Sequence, residues 1–128
     1  MFSSIIEPVS IPPPLLWSQE FIDALALARH REIARMIEAD PSILGTARAN
    51  AERWLATGNY DACEAASVRE WLPLLEETRM DELAAVLISE SENATRMRQS
   101  SPFTGIIPKA TYRSLRDNLI EEWSQHAA

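Results

Sequence analysis

The side chains able to hold a metal or attack a carbonyl are few and scattered. Cys63 is the only cysteine, and His30 and His126 are the only histidines. Zinc sites draw on close pairs such as C-x-x-C or H-x-x-x-H, because several ligands must converge on one ion. None of the three residues has such a neighbour, so no metal site is expected. Cys63 and His30 would form a thiolate–imidazole pair only if the fold joined them. The plainer reading of Cys63 is a small buried core residue. Ser100 and Ser101 lack the glycine-flanked elbow that presents a nucleophilic serine; they read as hydroxyls that end a helix and cap a loop. Acidic neighbours occur at Glu76-Glu77, Asp81-Glu82, Glu90 with Glu92, and Glu121-Glu122. Adjacent helical positions point in different directions, so these are solvated faces, not an acid/base pair. Gly45, Gly58 and Gly105 are too far apart for a phosphate-cradling loop. No catalytic residue, cofactor or metal is assigned, and the chain reads as a non-enzyme. A small enzyme with a site assembled from distant residues stays as an alternative.

The anomalous stretch is Arg96–Pro108, RMRQSSPFTGIIP. Helical patterning stops at Ser100-Ser101-Pro102, yet Phe103, Ile106 and Ile107 follow in what must be a loop. Prolines 102 and 108 bracket it and turn the preceding residues away from the α conformation; Gly105 permits a positive φ. The apolar side chains either plug the core or form a contact surface. The same region carries the chain's positive charge. Net charge is −7, but residues 96–116 hold Arg96, Arg98, Lys109, Arg113 and Arg116 and no carboxylate. Guanidinium groups beside Phe103 and Ile106 resemble the anchors of a protein interface. The candidate partner-binding set is Arg96, Arg98, Gln99, Ser100, Ser101, Phe103, Ile106, Lys109, Arg113 and Arg116. Trp17 joins it as the tryptophan best placed for partial exposure. Five cations with Gln99 and two hydroxyls also suit phosphate contacts, so a nucleic-acid-binding regulator is the rival. The acidic remainder would repel a duplex and suits a basic protein partner. A purely structural role for Arg96 and Arg98 is pairing with that acidic body.

The elements that must position these residues are helices. Three glycines leave little hairpin chemistry. Apolar positions recur at three- and four-residue spacing. They predict helices over about 15–39, 41–57, 61–77, 79–88 and 90–99, and a last one opened by Pro108. A break is expected near Arg29-His30-Arg31, and a restart or kink between 67 and 73 because of Pro73. Asp40-Pro41, Gly58 and Asp61 with Glu64 are the start and stop signals. Lys109, Arg113 and Arg116 fall in the first half of the last helix, against its macrodipole. Breaking a local rule without structural gain points to use. Trp17, Trp54, Trp71 and Trp123 sit on or beside apolar stripes and read as core.

The fold class expected is all-α: one compact domain of about six helices over 15–126, preceded by an extended Pro-rich arm over 1–14. Pro12-Pro13-Pro14 favours polyproline II. Ile5, Ile6, Val9 and Ile11 make the arm apolar. It either lies along the protein's own surface or docks on a second subunit, giving a homodimer. The lone thiol fits a reducing cytoplasm; no signal peptide or membrane span is read.

Ser89-Glu90-Ser91-Glu92, the RQSSPF-x-G run at 98–105 and the Asn50–Leu55 text resemble the C-terminal part of small uncharacterised helical bacterial proteins. Those tend to be encoded beside toxin–antitoxin-type genes. The resemblance spans roughly 41–116 and implies no catalytic residue. It implies an antitoxin-like or regulatory protein partner of a neighbouring gene product.

Overall fold

Ser18 opens the first helix: its hydroxyl accepts the Phe21 amide at 3.2 Å, a standard N-cap arrangement. The computed structural model describes residues 18–127, with side chains through Gln125. The 1–14 arm, the helix start at 15–17, Trp17 and the His126 side chain lie outside them. Six α-helices follow in order: α1 (Gln19–Ala39), α2 (Ile43–Thr57), α3 (Ala62–Arg69), α4 (Met80–Ile88), α5 (Glu92–Arg98) and α6 (Lys109–Ala127). There is no strand among the described residues, so the fold is all-α.

Local chemistry sets most boundaries. Asp40 accepts from the Ser42 amide at 3.1 Å and from its hydroxyl at 2.6 Å. Pro41 and Ser42 form a turn ahead of α2. Gly58 ends α2 in the left-handed region at φ 71°, a conformation that costs glycine nothing extra. Asp61 and Glu64 form the reciprocal capping box of α3. Ser91 caps α5 through the Ala94 amide at 3.2 Å.

Two expected features differ. α1 runs unbroken through Arg29-His30-Arg31, because His30 points into the core at the spacing set by Ile33 and Ile37. The predicted 61–77 helix is shorter. α3 stops at Arg69, and two 3-10 turns, Leu72–Leu74 and Glu77–Arg79, lead into α4. Pro73 sits in the first of these, where its missing N–H is harmless.

α1 is the spine and packs against α2, α4, α5 and α6. The main core gathers on its second half. Ile33 and Ile37 meet Leu44 and Ala47 of α2, Trp71 and Leu75 of the α3–α4 connection, Leu83 and Leu87 of α4, Met97 and Phe103. Cys63 is exposed on α3, contrary to the buried-core reading; α3 is short and buries only Val68. α6 contributes no fully buried residue among its described side chains. It lies on the first half of α1, where Phe21 and Trp123 meet edge to face at 5.2 Å. Arg29 stands 6.0 Å from the Tyr112 ring, a weak cation–π contact. No described helix is long and apolar enough to cross a membrane.

Candidate functional site

The anomalous loop is a plug. Phe103 is 3% exposed and Pro102 is fully buried. Phe103 meets Trp71 at 5.9 Å and His30 at 6.4 Å, each near perpendicular. The Trp71 indole N–H donates to the Met97 carbonyl at 3.0 Å. Asn50 of α2 donates to the Pro102 carbonyl at 2.9 Å and to that of Thr104. Gly105 turns the chain at φ 81°. Buried backbone groups must find partners; here α2 supplies them to a segment that cannot form a helix.

His30 clamps the loop from α1. Its Nδ1 lies 2.6 Å from the Ala26 carbonyl, which can only accept, so Nδ1 carries the proton. Nε2 is then a bare acceptor, and the Ser101 hydroxyl donates to it at 2.7 Å. Burial, reinforced by the charges of Arg29 and Arg98, pushes the imidazole down to about 4, against the opposing bond to Ala26. A serine held on a neutral histidine is the geometry of an activated nucleophile. Three features argue against that use. No carboxylate orients the ring. The Phe103 amide, a natural oxyanion donor, is already bonded to Ser101 Oγ at 3.2 Å. His30 is 1% exposed, and so weak a base abstracts protons poorly at neutral pH. The pair is a brace.

The five cations separate. Arg98 is 3% exposed. One of its nitrogens donates to the Val86 and Ser89 carbonyls at 2.9 and 2.7 Å. It thus caps the negative end of α4, where a cation is favoured. The expected pairing of Arg98 with a carboxylate is replaced by this contact, because α5 turns its last residue toward the end of α4. Arg96 forms a two-pronged pair with Glu70, both contacts at 2.9 Å. That bond holds Glu70 below its ordinary range and raises Arg96. Lys109, Arg113 and Arg116 are exposed. Their spacing of four and three aligns them on one face of α6. Arg116 lies 3.4 Å from Asp117. Ser100 is half-buried and donates to the Met97 carbonyl. Ile106 is half-buried against the core, and Gln99 is exposed and 3.4 Å from Asp23.

What the fold does bring together is a groove between α1 and α6, with a volume of about 730 Å³. Phe21, Ile22, Leu25 and Ile120 supply apolar wall; Arg29, Arg98 and Arg116 supply positive charge against the single carboxylate of Asp23. Ile22 is 45% exposed, an uncovered apolar side chain on this wall. Of the predicted contact residues, Arg98, Gln99 and Arg116 line the groove; Phe103, Ser101 and Ile106 do not. Arg29, Asp23 and Tyr112 were missed. Only the crossing of α1 and α6 gathers them, and no run of sequence does. His30 and Asn50 were missed as loop anchors, although His30 falls three residues before Ile33 on the core stripe. Among the described residues no three His, Cys, Asp or Glu side chains gather as a metal site would require. Comparisons with protein-family models, curated proteins and solved structures returned no match.

Proposed function

We propose that this chain is a non-enzymatic protein-interaction module, an antitoxin-like or regulatory partner of a neighbouring gene product, that docks its partner on the α1–α6 face. The observation that carries the reading is the groove, apolar in its walls and positive at its rim on a molecule of net charge −7. Interfaces join buried apolar anchors to arginine, and Ile22, Ile120 and Tyr112 stand beside Arg29 and Arg116 there. The field of this face favours a partner segment that alternates apolar and acidic residues. It reverses the basic partner expected from overall charge, because the contact face and the whole surface differ in sign. The resemblance to proteins encoded beside toxin–antitoxin-type genes supports the same class.

Titration of the purified chain with the adjacent gene's product tests the reading. A complex at micromolar concentration or tighter is expected. Reversing the face with Arg113→Glu and Arg116→Glu should weaken it by about tenfold or more. No complex at micromolar concentration would refute it. A second reading, nucleic-acid binding, draws on the aligned Lys109, Arg113 and Arg116. It predicts a steep salt dependence for duplex binding that the same double variant removes.

A further inference from the structure

A smaller cavity lies where α1, the loop and the start of α6 meet, with a volume of about 190 Å³. That is below the range of pockets for drug-sized ligands, roughly 300–1,000 Å³, and leaves room for one compact group with a few waters. Its lining holds two cations, Arg29 of α1 and Lys109 of α6, and no Asp or Glu. Ile33, Phe103 and Ile107 supply apolar wall, which strengthens any electrostatic contact made against it.

These two cations are uncompensated on a molecule of net charge −7. Among the described residues neither side chain meets a hydrogen-bond acceptor or a carboxylate; Arg29 stands 6.0 Å from the Tyr112 ring. Other arginines spend their donors: Arg96 on Glu70, Arg79 on Glu82, Arg98 on backbone carbonyls. Arg29 is half-buried, so water shields its charge incompletely. That charge reaches the cavity wall, where it adds to burial, the larger cause, in lowering His30 to about 4. The Tyr112 hydroxyl also lines the cavity and has no partner among the described residues. The unspent groups are therefore a guanidinium, an ammonium and a phenol, all able to donate. An anion among them would also account for the place of Lys109. α6 has no acid in its first turn, and its cations stand at its positive end, where they are disfavoured unless matched.

We infer that this cavity binds the phosphoryl group of a small phosphomonoester, held by the Arg29 fork, the Lys109 ammonium and the Tyr112 hydroxyl. A monoester carries about −1.5 to −2 charge at pH 7 and three terminal oxygens, which matches two cations and one hydroxyl. Arginine grips two such oxygens at once. A nucleic-acid backbone fits less well: its diester phosphates carry one charge each, and Arg113 and Arg116, which would follow a duplex, do not line the cavity. The site needs no protein partner and stands apart from the docking reading, although Arg29 and Tyr112 also line the α1–α6 groove.

Titration of the full chain with inorganic phosphate and with phenyl phosphate, followed by amide NMR at constant ionic strength in chloride, tests this. Amides of 104–105 and 109–112 should shift saturably with both. Lys109→Gln and Arg29→Gln should each weaken binding about tenfold or more. Arg113→Gln with Arg116→Gln should change it by less than about twofold. Lys109 is exposed, so its variant keeps the core and decides the matter even if Arg29→Gln fails to fold. Shifts that follow ionic strength alone overturn the inference, as does saturable binding that Lys109→Gln leaves unchanged. Loss of binding in the Arg113 and Arg116 double variant also overturns it and assigns the anion to the exposed row of α6. Dimethyl phosphate, a diester with one charge, should bind about tenfold more weakly than phenyl phosphate; equal binding removes the monoester assignment.

Discussion

His30 shows how one side chain can join two parts of a helical protein. Its ring is held neutral between a backbone carbonyl and Ser101, and burial places its titration at about 4 rather than 6.5. The unfolded chain binds the proton first as pH falls. The stability contributed by the neutral ring is therefore complete above pH 6.5 and is lost progressively between 6.5 and about 4. Between pH 7.5 and pH 5 the loss from this residue is about 2 kcal/mol. His30→Asn should remove that part of the slope while carboxylate contributions remain. Urea unfolding of both chains at the two pH values reads the difference. Parallel pH dependence would show that the ring is not buried in its neutral form. The register of His30 with Ile33 and Ile37 carried a signal of burial, but the expected break at Arg29-His30-Arg31 ran against it, and the helix continues with His30 inside. Its partner was not legible, because Ser101 lies seventy-one residues away and only tertiary packing joins them.

At the scale of elements, caps were readable and the loop's destination was not. Gly58, Asp61 with Glu64, and Asp40 act within a few residues of themselves, so their chemistry is local. The 96–108 segment showed its character as a non-helical, apolar, proline-bounded stretch. Whether Phe103 pointed in or out depended on Trp71 and His30, which meet its ring, and on Asn50, which bonds the loop's carbonyls, all from other elements. The turn at Gly105 makes a clean test. An added Cβ would meet nothing within 4 Å, yet φ is +81°. Gly105→Ala should therefore cost about 1–2 kcal/mol through backbone strain alone. Gly45→Ala, in open space and in helical backbone, should instead stabilise by about 0.5–1 kcal/mol. Chemical denaturation of the two variants distinguishes conformational strain from lost packing. Equal effects of one sign would show that the positive φ at Gly105 carries no cost. Arg98 makes the same point about charge: the sequence marks it as a cation, and the end of α4 decides that it serves the backbone.

The whole molecule divides its stability unevenly. The dense core joins the second half of α1 to α2, α4 and the Phe103 plug, whereas α3 and α6 each lean chiefly on one helix. Local opening follows buried contact. Amides of α4 and of α1 near Ile33 should exchange only on global unfolding, and those of α3 at least tenfold faster through local opening. Uniform exchange across the helices would show that the chain opens as one unit. Without tertiary information, spacing and composition determined an all-α chain, most helix boundaries and the clustering of five cations in one segment. These are properties of neighbours in sequence, set by backbone geometry and periodicity. Tertiary structure alone decided that the loop is interior, that Arg98 caps α4, and that the positive apolar face lies between α1 and α6. Each depends on groups distant along the chain. Side-chain periodicity tells which face of a helix turns inward, but not which helix it will meet.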